Sequence, residues 1–345
     1  MAILDIIQKL EDVSGESRQD IEQVILDLWI SGERNFFTAA QLAQNFDINY
    51  KLNSVPRISE ESDDDFTPTF TWNHFHALTK KLRSPKYDAS QKKAMVISSA
   101  ETADAKEWNT FYRYILLNQF PWVKIKTINK ILRKLSLSDK TTLDYLVCEF
   151  TYQESHNENA TNNLKNIRGV KTVSPVHQGH ICLFIINKEE RTAIIYHKVN
   201  VDGYRITFDQ DVGDIYDMLP CSMVIECMTG LQLQDTNPVH MVDCLPLHDF
   251  HQGECLMPYQ DRQAILTGVL GVMLKLINPK FKVVQKLTVD FSTEQGRINL
   301  EEFQQQLYDE GIRGIYVKNP EASYQVGKTK NKNSIMLANK PKSNG

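Results

Sequence analysis

The sequence has no apolar run of the roughly 18 residues that a membrane helix requires, so no span is expected. It has no C-x-x-C pair. Its six cysteines are scattered without the spacing of a disulfide framework, which points to reduced thiols in a cytoplasm. It has no repeat of fixed period. Its first residues, MAILDIIQKLEDVSG, mix acids with helical apolar spacing and lack the pattern of a secretory signal. One trace of a phosphate loop, Gly327-Lys328-Thr329, lacks the upstream glycine, where Ala322 stands instead, and has no strand-to-helix context. These absences set aside membrane proteins, disulfide scaffolds, repeat arrays and P-loop nucleotidases.

What is present is an ordinary globular composition, with 41% hydrophobic and 24% charged residues over 345 positions. That length suffices for two domains. The formal net charge of -4 conceals a strong pattern. Residues 1–71 carry five basic and fourteen acidic side chains. Residues 72–140 reverse this, with fourteen basic and five acidic. Residues 141–317 are again acidic by nine, and the stretch from Lys318 onward is basic by five. A basic segment like 72–140 attracts phosphate backbones even in an acidic chain, although it also serves simply to solvate a helical face.

Ile3, Ile6, Ile7 and Leu10 stand at helical spacing, as do Ile21, Val24, Ile25 and Leu28, with Ser17 as a candidate cap. Residues 51–71, KLNSVPRISEESDDDFTPTFT, read as a loop with an acidic run at Glu60, Glu61, Asp63, Asp64 and Asp65. Helical patterns resume at Trp72–Leu82, Ser90–Ser99, Ala103–Leu117 and Lys124–Leu135. Residues 153–163 are polar and read as a linker or surface loop. Strand patterns follow at His180–Asn187, Thr192–Lys198, Tyr204–Phe208, Met223–Met228 and Val239–Leu245, with a hairpin turn at 188–191. Ala264–Leu276 reads as an apolar helix, Lys282–Thr288 as one strand, Leu300–Glu310 as a helix stopped by Gly311, and Gly314–Lys318 as a last strand. The pattern is a helical first half and an α+β second half with mostly antiparallel sheet.

Three stretches carry a family resemblance: FYRYILLNQFPWVKIKTINKIL at 111–132, NLKNIRGVKTVSPVHQGHICLFIINKEERTAIIYHK at 163–198, and FQQQLYDEGIRGIYVKNPEASYQVGKTKNKNSIMLANK at 303–340. In order and spacing they resemble ATP-dependent DNA ligases of the T-even bacteriophage type. The resemblance implies a multi-domain α and α+β fold. Residues 1–150 would form a helical ligase-type DNA-binding domain, and 151–345 an adenylyltransferase (ATP-grasp-like) antiparallel-sheet domain. The C-terminal OB-fold domain of such ligases is not expected here.

The same resemblance marks what is missing. A ligase attacks ATP with the lysine of K-x-D-G-x-R, and a charged amine cannot attack until its pKa is lowered. One register aligns this motif with Asn200-Val201-Asp202-Gly203-Tyr204-Arg205, leaving Asn200 at the lysine position and Lys198 two residues early. The other aligns it with Val176-His177-Gln178-Gly179-His180-Ile181, which fits the flanking spacing better and leaves Val176 there. Neither register supplies the lysine. The D-G-E strand becomes Glu226-Cys227-Met228, with one carboxylate kept. The next strand keeps Asp243 but no adenine-stacking aromatic. In RGIYVK, Arg313 replaces a metal-binding glutamate, which is expected to reverse a charge in the pocket, and Lys318 is kept. Val176, Gly179, Glu226, Asp243, Arg313 and Lys318 are thus the expected remnant of a nucleotide pocket. No catalytic residue, bound metal or cofactor is expected.

These residues point to a non-catalytic, ligase-like phage protein in a host-cell cytoplasm. Its expected partner is double-stranded DNA, met by Lys80, Lys81, Arg83, Lys124, Lys126, Lys130, Arg133 and Lys134, or else a phage or host protein. Other possibilities are a nucleotide sensor using Lys318 and Asp243 and, least favoured, an active ligase. His240, Cys244, His248, His251 and Cys255 fall close enough together to raise zinc, but they lack a ligand-pair spacing and read as loop and core residues. His177 and His180 likewise read better as ordinary surface histidines than as an acid–base pair.

Overall fold

A computed structural model of the protein describes residues 3–13, 17–50, 52, 54–60, 67–149, 153–154, 156–157, 167–177, 179–200, 203–209, 212–230, 238–328 and 334–338. The chain divides into two compact units, Met1–Glu149 and Phe150–Gly345.

The first unit is helical. Helix α1 (Ile3–Asp12) buries Ile6, Ile7 and Leu10, as their spacing requires. Helix α2 (Arg18–Ile30) has Ser17 as N-cap residue, whose backbone N–H donates to the Asp20 carboxylate at 3.0 Å. Helix α3 (Arg34–Gln44) buries Phe36, Phe37, Ala39, Ala40, Leu42 and Ala43. Helix α4 (Trp72–Arg83) buries Phe75, Leu78 and Leu82 and packs on α5 (Ala89–Glu101). Next comes α6, a helical run through Ala105–Glu107, a π turn at Trp108–Tyr112, and Arg113–Leu116. Helix α7 (Ile125–Leu135) buries Ile128, Ile131 and Leu132 and turns its lysines outward.

Aromatic rings fill this core. Trp108, Phe36, Phe37, Phe75 and Phe111 are all fully buried, and the Phe75 and Tyr112 rings approach to 4.6 Å. The described part of the 51–71 loop is tied down onto α6. Trp108 Nε1–H donates to the Pro56 carbonyl at 2.9 Å, Arg113 Nε–H to that of Val55 at 3.1 Å, and Asn109 bonds both backbone groups of Ile58. Of the acidic run, Glu61, Asp63, Asp64 and Asp65 lie outside the described residues.

Among the described residues the second unit holds two large sheets and two small two-stranded ones. In chain order the main strands of the large sheets are β1 (Val170–Pro175), β2 (His180–Asn187), β3 (Thr192–Asn200), β4 (Gly203–Asp209), β5 (Met223–Thr229), β6 (Val239–Pro246), β7 (Phe281–Val283), β8 (Leu287–Asp290), β9 (Gly314–Lys318) and β10 (Ser334–Ala338). A six-stranded sheet runs β7-β6-β5-β2-β3-β4, antiparallel except for the β7–β6 pair. A five-stranded sheet runs β8-β1-β9-β10 and ends on the short strand His156–Asn157. Helices α8 (Leu247–Gln252), α9 (Tyr259–Ile265), α10 (Gly271–Ile277) and α11 (Glu294–Asp309) complete the unit.

Period-two alternation decides what each strand buries. On β5, Met223, Ile225 and Cys227 enter a core with Leu266, Leu270 and Leu274 from the α9–α10 region, while Glu226 and Met228 take the other face. On β9, Ile315 and Val317 join Leu300, Phe303 and Leu307 of α11, leaving Tyr316 and Lys318 on the opposite face. The candidate site lies on these opposite faces.

Two expectations are corrected here. Lys282–Thr288 is not one strand: β7 and β8 belong to different sheets, and the chain crosses between them at 284–286. The Ala264–Leu276 helix is interrupted by a π turn at Leu266–Leu270, where Gly268 leaves helical geometry.

Candidate functional site

Glu226 and Asp243 stand directly opposite each other on β5 and β6, so both carboxyls project from one face of the sheet. A β-bulge follows, because the next pair is Cys227 with Met241. The extra residue, Val242, is thereby turned to the same face as Asp243. Two like charges this close oppose each other unless their surroundings separate them.

The surroundings do separate them. Asp243 is fully buried and accepts two bonds from the Arg262 guanidinium of α9, Nε–H to Oδ1 and Nη2–H to Oδ2, both at 3.0 Å. Lys318 Nζ lies 3.5 Å from Oδ2, and Gln263 Nε2–H donates to Oδ1 at 3.2 Å. Burial pushes the Asp243 carboxyl up, but Lys318 and then Arg262 outweigh it and hold the group below the ordinary carboxylate range. Glu226 goes the other way. Burial raises it, Lys318 offsets only part of that, and Asp243 pushes it further up. It accepts from the Tyr324 hydroxyl and from the Gln153 backbone N–H at 3.2 Å.

A third cation faces this group. Lys286, in the crossover between β7 and β8, has a buried Nζ with no hydrogen-bond partner. Burial lowers it to about 8, against the partial compensation of Asp243. The Tyr259 ring lies between cations, 4.8 Å from Lys318 Nζ and 6.0 Å from Lys286 Nζ. Arg262, Lys286, Tyr259 and Tyr324 were not legible as site residues. Arg262 precedes the helix expected from Ala264 and falls in no expected element, and Lys286 falls inside what reads as a single strand.

Of the six expected remnant residues, the structure brings Glu226, Asp243 and Lys318 together. Val176 is adjacent but apolar in role: its side chain packs with Met228, Val242, Val284, Ile181 and Tyr316. Its backbone N–H donates to the Gly314 carbonyl at 2.9 Å. Gly179 adopts φ +151, and a Cβ there would fall 1.8 Å from the Thr229 carbonyl oxygen. Close backbone approach therefore requires this glycine, whatever the chemistry nearby. Arg313 is a correction. It lies outside the group, its guanidinium 3.7 Å over the Tyr308 ring and donating to the Tyr308 carbonyl at 2.6 Å, so it reverses no charge in the pocket. It is drawn to the carbonyls at the end of α11 instead.

In the alternative register, Asn200 closes β3 and pairs with Gly203 of β4, while Val201 and Asp202 lie outside the described residues. The side chains of Lys198 and Asn200 lie outside them as well.

The residues present do not fit a divalent metal. Both oxygens of Asp243 are committed to cations, and Glu226 Oε1 accepts from the Tyr324 hydroxyl and the Gln153 N–H. Among the described residues, no group of three His, Cys, Asp or Glu is placed to hold a metal ion. His240 and Cys244 share β6, but His240 stacks on His177 at 3.6 Å and the Cys244 thiol donates to the Arg262 carbonyl. The cavity beside Glu226 and Lys318, lined also by Ile181, Met228 and Tyr316, has about 50 Å³, against the ~300–1,000 Å³ of small-molecule sites.

In the helical unit, Lys80 and Lys81 are exposed on α4, and Lys126, Arg133 and Lys134 on α7, with exposed Lys124 at its N-cap. Lys130 is engaged by Glu22 at 2.6 Å. Arg83 is half-buried, with its Nε–H on the Thr79 carbonyl.

No protein-family model matches the chain, and no curated protein sequence does. Solved structures do. The chain is similar to one described as Pmar-Lig_PreS3, at 21% identity over 97% of this chain and 77% of that one, with a TM-score of 0.49. It is similar to the ATP-dependent DNA ligase from bacteriophage T7 in complex with ATP, at 13% identity over 55% of this chain and 68% of that one, with a TM-score of 0.41. It is also similar to the Chlorella virus DNA ligase-adenylate, at 14% identity over 54% and 68%, with a TM-score of 0.34. These are likenesses at low identity.

Proposed function

We propose that this protein is a ligase-like, non-catalytic DNA-binding protein, acting in phage replication, repair or host takeover. The observation that carries the first half is the network around Asp243. At the position of the ligase lysine one register puts Val176, here in an apolar cluster, and the other Asn200, while Asp243 is held by Arg262 and Lys318. An alkyl side chain forms no phosphoramidate. The DNA-binding half is supported by the exposed cations on α4 and α7, which suit phosphate contacts that position a duplex without reading its sequence.

A second reading is favoured by one feature. The exposed face of α11 carries Glu301, Glu302, Asp309 and Glu310, and an acidic face suits a basic protein partner of phage or host origin. The nucleotide-sensor reading is disfavoured, since Lys318 is engaged by Asp243 and the adjacent cavity is small.

The test is incubation with labelled ATP and magnesium or manganese, followed by anisotropy with a nicked duplex on the same preparation. We expect no covalent AMP and clear DNA binding at low salt. A covalent adduct would sink the non-catalytic reading, with Lys286 the first residue to replace. Absence of both adduct and DNA binding moves the assignment to the acidic face and a protein partner.

A further inference from the structure

Helices α4 and α5 leave between them a groove of about 370 Å³, within the ~300–1,000 Å³ typical of ligand sites. Its floor is apolar, formed by Phe70, Leu78 and Met95, and its rim carries His74, Lys81 and Ser99. The spacing explains the composition. His74, Leu78 and Lys81 stand at i, i+4 and i+7 on α4, and Met95 and Ser99 at i and i+4 on α5, so each helix turns one face to the groove. The Thr71 backbone N–H donates to His74 Nδ1 at 3.2 Å. A backbone N–H can only donate, so the neutral ring carries its proton on Nε2, which is left as a donor. Residues 72–101 carry six basic and two acidic side chains, so the groove sits in a field that draws anions.

An inorganic anion would use Lys81 and His74 but leave the apolar floor bare. A neutral apolar ligand would cover the floor but leave both polar groups idle. A flat ring bearing a phosphate uses both. We propose that this groove takes one unpaired nucleotide of the bound DNA, its base against Phe70, Leu78 and Met95 and its phosphate on Lys81. This rests on the DNA-binding reading above and adds to it a preference for a distorted duplex. An unpaired base has little stacking and pairing left to lose, so it enters such a slot more readily than a paired one.

The experiment uses the full chain and two duplexes, identical except for one extra unpaired nucleotide, with affinities measured by anisotropy at fixed low salt. The unpaired nucleotide is expected to tighten binding about tenfold, equivalent to ~1.4 kcal/mol. Ala77→Trp, on the exposed side of α4 beside the groove, fills the slot. It is expected to abolish the preference while leaving the paired duplex bound as before. Lys81→Ala, which removes no packing, is expected to weaken the bulged duplex more than the paired one, and it keeps the test valid if Ala77→Trp melts early. Equal affinities for the two duplexes, or a preference that both variants leave intact, would overturn the groove assignment and spare the DNA-binding reading. Failure to bind either duplex overturns both.

Discussion

Glu226 and Asp243 are carboxylates on paired strands, yet their surroundings drive them apart. Lys318 and Arg262 keep Asp243 charged, and burial, with Asp243 nearby, pushes Glu226 up toward its neutral form. Removing one partner of such a buried pair leaves the other uncompensated, at about 3–5 kcal/mol. Asp243→Asn, which strands the Arg262 guanidinium, is therefore expected to lose that much stability in urea denaturation. A loss under about 1 kcal/mol would mean that the network does not hold the sheet as described. The histidines give a pH counterpart. Burial, His177 and Lys282 depress His240 to about 4, below the ordinary value of about 6.5. The folded chain thus takes up this proton less readily than the unfolded one. The contribution to stability is full above pH ~6.5 and is lost as pH falls toward ~4. The urea midpoint should drop across that window, and His240→Asn should drop less. Parallel curves for the two proteins would remove His240 from the account.

At the scale of elements, α5 offers a clean test. Asp88 caps it, accepting the Gln91 N–H at 2.8 Å while Gln91 returns a bond to the Asp88 N–H at 3.0 Å. Asp88→Ala is expected to cost about 1 kcal/mol, read as a lower denaturation midpoint, and an unchanged midpoint would argue that α5 is held by packing alone. The amphipathic stripes of α1 and α7 are legible in the sequence because each helix has one wet and one dry face. Helix α3 carries the same signal, with Phe36, Ala39, Ala40 and Ala43 at i, i+3, i+4 and i+7, though three of its six buried residues are small alanines that read weakly as core. The crossover at 284–286 is hidden. The run F-K-V-V-Q-K-L-T-V at 281–289 is apolar enough to read straight through, and only the tertiary fold shows that its two ends belong to different sheets. The site inherits that blindness. Glu226, Asp243 and Lys318 could be found from the motifs of the family resemblance, but Lys286 sits in the hidden break, and Arg262 comes from a helix whose facing strand the sequence does not name.

For the whole molecule, charge is sorted along the chain more than it is summed. A net charge of -4 would disfavour DNA, but residues 72–140 hold fourteen basic and five acidic side chains, and the field near a phosphate is set by the nearest segment within a screening length. This predicts the salt response. Leaving aside Lys124 at the N-cap of α7 and the Lys130–Glu22 pair, Lys80 and Lys81 on α4 with Lys126, Arg133 and Lys134 on α7 make five exposed cations within the two helices. If each neutralises one phosphate, the slope of log affinity against log salt is about −4.5, and doubling the salt weakens binding about twentyfold. Lys126→Ala together with Arg133→Ala should lower the slope by about two and weaken duplexes of any sequence alike, because such contacts carry no base information. Anisotropy titrations at several salt concentrations measure both quantities. A slope near zero would detach the basic segment from nucleic acid and leave the acidic face of α11 as the surface on which this chain acts.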